Sequence, residues 1–158
     1  MQILIPLLSI IAILGIDQLL KYWVIESLAP IDVFPLLKGI FQLRYLENRG
    51  MAFGMMQEQW WLLIGGTALI LIVGLVLIFL QKIHSKWLLA AITLAIGGGL
   101  GNLIDRIFRG YVVDYLDFCA IHFPVFNFAD ICVSAAMVML IIWLLFFHTE
   151  PEKKQGKK

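Results

Sequence analysis

The chain has 158 residues, enough for one domain, with 61% hydrophobic residues and a mean hydropathy of +0.92. Soluble domains carry roughly 45–50% apolar residues, and a soluble fold this small could not bury the surplus, so the composition points to an integral membrane protein. A net charge of +1 gives no electrostatic basis for binding nucleic acid.

Four segments meet the length rule for a membrane span, about 20 mostly apolar residues. They cover 3–24, 60–80, 87–107 and 129–148. The first could pass for a cleaved signal peptide. It lacks a basic leading region and a small-x-small cleavage site, and its apolar run contains Asp17 and Lys21, so a retained span is expected. Residues 25–59 form a long connection. Within it, Ile40–Leu46 alternates with period two, which puts Phe41, Leu43 and Tyr45 on one face. Pro30 and Pro35 before it, and Gly50 and Gly54 after it, supply turns. This predicts a small antiparallel sheet, a β-cradle over residues 30–56, lying on the outer surface of the membrane. Trp60 and Trp61 mark the interface at the start of span two, and Trp87 marks the inner end of span three.

Residues 81–86 make a tight turn, whereas 108–128 is read as a second long loop. Four spans put both termini and the 81–86 turn on one side, together with Lys82, Lys86 and the four lysines of the 149–158 tail. The positive-inside rule makes that side cytoplasmic. The expected fold is an all-α membrane protein, one four-helix bundle of residues 1–158 with the β-cradle outside. Cys119 and Cys132 form no disulfide framework and are expected as free thiols.

The polar residues at membrane depth then gather on the outer side. Asp17 and Lys21, four apart, share a helix face and can pair. Asn102, Asp105 and Arg106 end span three, and Asp105 with Arg106 offers a structural clasp. Asn127 and Asp130 open span four, Asn48 and Arg49 come from the first loop and Asp114 from the second. A carboxylate near lipid is costly unless it is paired or used. Asp114 and Asp130 meet the same membrane face with no metal-ligand motif nearby, which suggests an acid/base pair acting on a substrate held in the bilayer, with no metal or other cofactor. Asp117 reads as a solvated loop carboxylate. Gly97–Gly99 and Gly101 lie inside a span, where close helix packing explains them better than phosphate binding. A Cys119/His122 pair lacks an orienting third group. A Ser27/Lys21 dyad would need a neutral lysine, and Asp17 opposes that. A small four-span proton-coupled transporter is the alternative class, but it calls for ionisable residues nearer mid-membrane than these.

In this order and spacing the residues resemble the lipoprotein signal peptidases, or signal peptidase II family. The resemblance rests on Asp17-x-x-x-Lys21, Asn48-Arg49-Gly50-Met51-Ala52-Phe53-Gly54, Gly98-Gly99-Leu100-Gly101-Asn102-Leu103-Ile104-Asp105-Arg106, Val113-Asp114-Tyr115 and Phe126-Asn127-Phe128-Ala129-Asp130. It implies four spans with a small outer β-cradle in a bacterial inner membrane. It also implies cleavage of signal peptides from prolipoproteins just before a diacylglyceryl-modified cysteine. By the match Asp114 and Asp130 are the catalytic dyad, and Asn48, Asn102, Arg106 and Asn127 line or support the site. Asp17, Lys21, Gly54 and Asp105 fall in the same motifs. Globomycin sensitivity and a monomeric enzyme without cofactor are expected.

Overall fold

The computed structural model of the chain describes residues 3–50 and 60–146. Gly54, the Met51–Phe53 part of its motif and the tail 149–158 lie outside the described residues. Among those described, four helices are long and apolar enough to cross a membrane. Helix α1 runs Leu4–Trp23 and continues as a π-helical turn over Val24–Leu28; α2 is Trp60–Phe79, α3 Lys86–Phe108 and α4 Phe128–Phe146. At about 1.5 Å rise per residue, each is long enough for a bilayer core. Their outward faces are apolar, with Leu19, Trp61, Ile70 and Leu145 well exposed, as lipid requires.

Helix α3 is the hub. It packs on α1, α2 and α4, and its glycines make that possible. A side chain on Gly97 would strike Ile13 of α1, one on Gly98 would strike Ala129 and Cys132 of α4, and one on Gly99 would strike Leu71 of α2. Successive residues point about 100° apart around a helix, so three glycines in a row open three sides to three neighbours. The side chain of Ser85 starts α3 by accepting the amide of Leu88.

At the end of the bundle where α3 stops sits an antiparallel sheet of order β1–β2–β3, with β1 Val33–Leu37, β2 Phe41–Asn48 and β3 Val112–Asp117. The first two strands lie within the segment expected to form a sheet. The third lies within 108–128, which the sequence had suggested was loop. Strand β3 pairs with β2 in a register that sets Leu46 opposite Asp114 and Asn48 opposite Val112, with a bulge between Leu43 and Leu46. Leu43 and Tyr45, on one face as the alternation requires, pack over Val24 and Leu28 of the π-turn with Val113 and Tyr115 of β3. The sheet is thereby bolted to the end of α1. Asp117 also departs from the sequence expectation. It closes β3, is buried, and accepts a 2.7 Å hydrogen bond from Gln42 across the strands, so it is not a solvated loop carboxylate.

Candidate active site

Two segments that are distant in sequence deliver Asp114 and Asp130 to one place. The chain leaves β3, turns through Cys119–Ile121 and comes back, with Phe126 bridged antiparallel to Leu116. Phe118 stacks on Phe126 and Phe123 meets Phe126 edge-on, which closes this excursion. The next residue, Asn127, therefore emerges beside Asp114 at the start of α4.

Asn127 and Asp130 cap α4 reciprocally. The Asp130 amide donates to Asn127 Oδ1 at 2.9 Å, and the Asn127 amide donates to Asp130 Oδ2 at 3.1 Å. This is a capping box built from Asn and Asp. It holds Asp130 at a helix N-terminus, where the helix dipole favours a negative charge.

Two asparagine amides link the carboxyl groups. Asn127 Nδ2 donates to Asp114 Oδ1 at 2.6 Å and to Asn102 Oδ1 at 3.1 Å, and Asn102 Nδ2 donates to Asp130 Oδ1 at 2.8 Å. The second oxygen of Asp114 accepts from Asn48 Nδ2 at 2.8 Å, and Asn48 Oδ1 accepts the Gly50 amide. Asp114 is 1% exposed. Burial and then the neighbouring charge of Asp130 push its carboxyl up to about 7, against the opposing effect of the Asn48 and Asn127 hydrogen bonds.

Behind the asparagines lies an ion cluster. Lys21 is completely buried and uses all three of its donors, to Asp17 Oδ2, Asp105 Oδ2 and Asn102 Oδ1, each at 2.9 Å. Asp17 Oδ1 accepts the free amide of Ala129 in the first turn of α4. Asp105 also accepts the Val113 amide of β3 at 3.2 Å and is paired with Arg109 one helical turn on. Two anions and two cations cancel here, as buried charges require. The cluster joins α1, α3, α4 and β3 directly beneath the carboxyl pair.

Most residues expected at the site gather in this network: Asn48, Asn102, Asp105, Asn127, Asp17 and Lys21 as well as the two aspartates. Asp17 pairs with Lys21 as the spacing required. The clasp between Asp105 and Arg106 does not form; neighbours on a helix point to different faces, and Asp105 takes Lys21 and Arg109 instead. Arg106 reaches the carbonyls of Asn102 and Gly50 at 3.5 Å each, and its charge acts on both Asp130 and Asp114. Arg109 and Gln18 are not among the residues expected at the site. Gln18 donates to Asp17, the Gly101 carbonyl and Asp105, and accepts from Arg109 at 3.1 Å. Arg109 was legible as the i+4 partner of Asp105. Among the described residues no cluster of three His, Cys, Asp or Glu could hold a metal ion. Cys119 and Cys132 are free.

Fold and site together define a multi-pass membrane protein with two carboxyl groups tied into one buried polar network at the end of its bundle. Residues 9–146 match the family described as Signal peptidase (SPase) II. The chain is 43% identical over 144 residues to the lipoprotein signal peptidase of Clostridioides difficile (strain 630), covering 91% of this chain and 97% of that one. It is 39% identical over 139 residues to that of Streptococcus thermophilus (strain CNRZ 1066), covering 85% and 90%. A bacterial membrane enzyme solved by the in meso method at 2.3 Å superposes with a TM-score of 0.81 and 27% identity, over 96% of this chain and 94% of that one. The chain belongs to the signal peptidase II family, and is a membrane protease.

Proposed function

We propose that Asp114 and Asp130 are the catalytic dyad of an aspartic endopeptidase. On this reading it removes the signal peptide from prolipoproteins, cutting just before the diacylglyceryl-modified cysteine. The observation that carries this is the pair of amide bridges from Asn127 to Asp114 and from Asn102 to Asp130, themselves joined at 3.1 Å. The charge of Asp130 raises the Asp114 carboxyl, as expected of two neighbouring acids that cannot both ionise cheaply.

The environments of the two acids differ and suggest roles. Asp130 lies at the N-terminus of α4 beside Arg106, which suits the anion. Asp114, raised to about 7, is the member that keeps the proton near neutrality. In this scheme water attacks the scissile carbonyl carbon and gives a proton to Asp130. Asp114 gives its proton to the carbonyl oxygen. The resulting tetrahedral diol returns a proton to Asp114 as the carbonyl re-forms. The C–N bond breaks as Asp130 passes its proton to the leaving nitrogen, which restores both acids. No acyl-enzyme forms, and every group comes from one chain.

A signal peptide is itself an apolar helix and can enter sideways from the bilayer, with its lipid-bearing cysteine brought to the carboxyl pair at the outer face. Lysines at the opposite end favour cytoplasmic termini. Globomycin sensitivity belongs to the same reading.

The test is purified protein with a diacylglyceryl-modified precursor and with the same precursor unmodified. Cleavage of the first, little of the second, and none by Asp114→Asn or Asp130→Asn is expected. Full turnover by either variant would overturn the dyad, and inhibition by chelator would point to a bound metal.

A further inference from the structure

Far from the carboxyl pair the bundle holds a concavity. Helices α1 and α2 both pack on α3 but scarcely on each other. A cleft of about 870 Å³ opens between them, lined from the first half of α1, the last turn of α2 and the first half of α3. These segments form the end of the bundle opposite Asp114 and Asp130. The cleft falls within the roughly 300–1,000 Å³ of ligand sites.

Its walls and its mouth differ chemically. Ile5, Ile13, Ile16, Leu77, Leu89 and Leu94 make an apolar shaft. Ile13 packs on Gly97, where an added Cβ would sit 2.8 Å from it, so α1 and α3 meet along this wall. Gln81, His84 and Lys86 line the mouth, at the ends of α2 and α3. Lys82 adds a further cation there, and no acid occurs in residues 79–94 or 3–16. The mouth lies at the N-terminal ends of α1 and α3, whose dipoles favour an anion, and at the C-terminal end of α2, whose dipole opposes one. Nothing in the proposed peptidase mechanism uses these residues.

We infer that this cleft holds an acyl chain of an anionic phospholipid from the leaflet opposite the dyad, with the lipid phosphate on Lys86 and His84. The apolar shaft requires a hydrocarbon chain, which inorganic phosphate lacks. The basic mouth requires an anion, which a zwitterionic lipid supplies only with a cation attached. The leader of a signal peptide is a worse occupant, because its charged region is basic and would meet Lys82 and Lys86. The inference needs only a membrane-spanning chain, so it stands or falls separately from the peptidase chemistry.

The experiment is native mass spectrometry of the full chain released from detergent, with phosphatidylglycerol or phosphatidylcholine of the same acyl chains. Wild type is expected to retain phosphatidylglycerol roughly fivefold better, the equivalent of about 1 kcal/mol for a cation near a membrane anion. His84→Gln with Lys86→Gln should abolish the preference while leaving peptidase turnover and thermal midpoint unchanged. Ala12→Phe with Ala90→Phe, both at exposed positions lining the shaft, should lower retention of both lipids. Equal retention by wild type, an undiminished preference in the rim variant, or undiminished retention in the filled variant would overturn the inference. So would one-for-one displacement of the lipid by a precursor leader peptide.

Discussion

Asn127 and Asp130 each accept the other's backbone amide, at 2.9 and 3.1 Å, so the residue that caps α4 is also the one that grips Asp114. Helix start and carboxyl pair are thus one structure. Asn127→Ala removes the cap, at a cost of about 1 kcal/mol, and also frees Asp114 Oδ1. The expected result is a drop of a few degrees in thermal midpoint and a loss of turnover far larger than that drop would explain, with KM little changed. Asn127→Ser restores the cap but not the amide bridge. It should recover the midpoint without recovering kcat. Recovery of both would show that Asn127 acts only as a cap.

Asp114 links activity and stability to pH. Its carboxyl is raised from 3.8 to about 7 by burial and by the charge of Asp130. Between those two values the folded chain holds a proton that the unfolded chain has released, so stability falls as pH rises through that window, and the full burden applies above about 7. Asp114→Asn has no such burden. The midpoint difference between variant and wild type should move in the variant's favour from pH 5 to pH 8 and then level off. Over the same range kcat/KM of wild type should fall above about 7, as the acid loses its proton. The variant should lose at least about a hundredfold in turnover at every pH, the usual scale of general acid–base catalysis. Parallel midpoint curves for the two proteins would remove the raised carboxyl from the account.

The parts of the site that were legible in the sequence are those where charge meets lipid. Asp17, Lys21, Asn102, Asp114, Asn127 and Asp130 stand out because each is polar beside an apolar run, and four apolar runs fix four helices. Strand β3 was not legible. Val112–Asp117 is short, and what makes it a strand is β2, with Leu46 lying opposite Asp114 although 68 positions separate them in the chain. The burial of Asp117 is hidden for the same reason, because its partner Gln42 is on that other strand. The Asp105–Arg106 clasp failed on local geometry, since adjacent helical residues diverge while Arg109, at i+4, shares the face of Asp105. The π-turn at Val24–Leu28 carries no compositional mark; it is formed by the Ala29 amide bonding the Val24 carbonyl at 3.0 Å and packs with Val113 and Tyr115.

Lys21 is the cation on which the buried cluster turns. Lys21→Met keeps the volume but leaves Asp17 and Asp105 facing one cation, Arg109, where there were two. Loss of one partner from a buried ion group costs about 3–5 kcal/mol, and the thermal midpoint should fall accordingly. Adding Asp17→Asn removes the stranded charge while an amide oxygen can still accept from Ala129. The double variant should therefore be more stable than Lys21→Met alone, with a coupling on the order of 1–3 kcal/mol between the two sites. Additive losses would show that the Lys21–Asp17 contact carries no net energy. Because Lys21 also fixes Asn102 Oδ1 at 2.9 Å, the double variant should regain stability without regaining full turnover.

Glycine spacing on α3 gives a test of packing that leaves every polar group in place. A Cβ on Gly98 would lie 2.5 Å from the Ala129 carbonyl oxygen and 3.1 Å from Cys132 Cβ. The first of these is backbone and cannot swing aside, so Gly98→Ala must push α4 away from α3. That displacement separates Asp130 from Asn102, whose 2.8 Å hydrogen bond crosses this contact. Gly66 on α2 is the control. Nothing lies within 4 Å of its added Cβ, so Gly66→Ala meets open space and gains up to about 1 kcal/mol of helix propensity. Gly98→Ala should lower both midpoint and turnover, and Gly66→Ala should leave turnover intact with an unchanged or higher midpoint. If Gly98→Ala kept full turnover at reduced stability, the carboxyl geometry would have to tolerate movement of α4, and the tight amide bridging of Asp114 and Asp130 could not be what sets the rate.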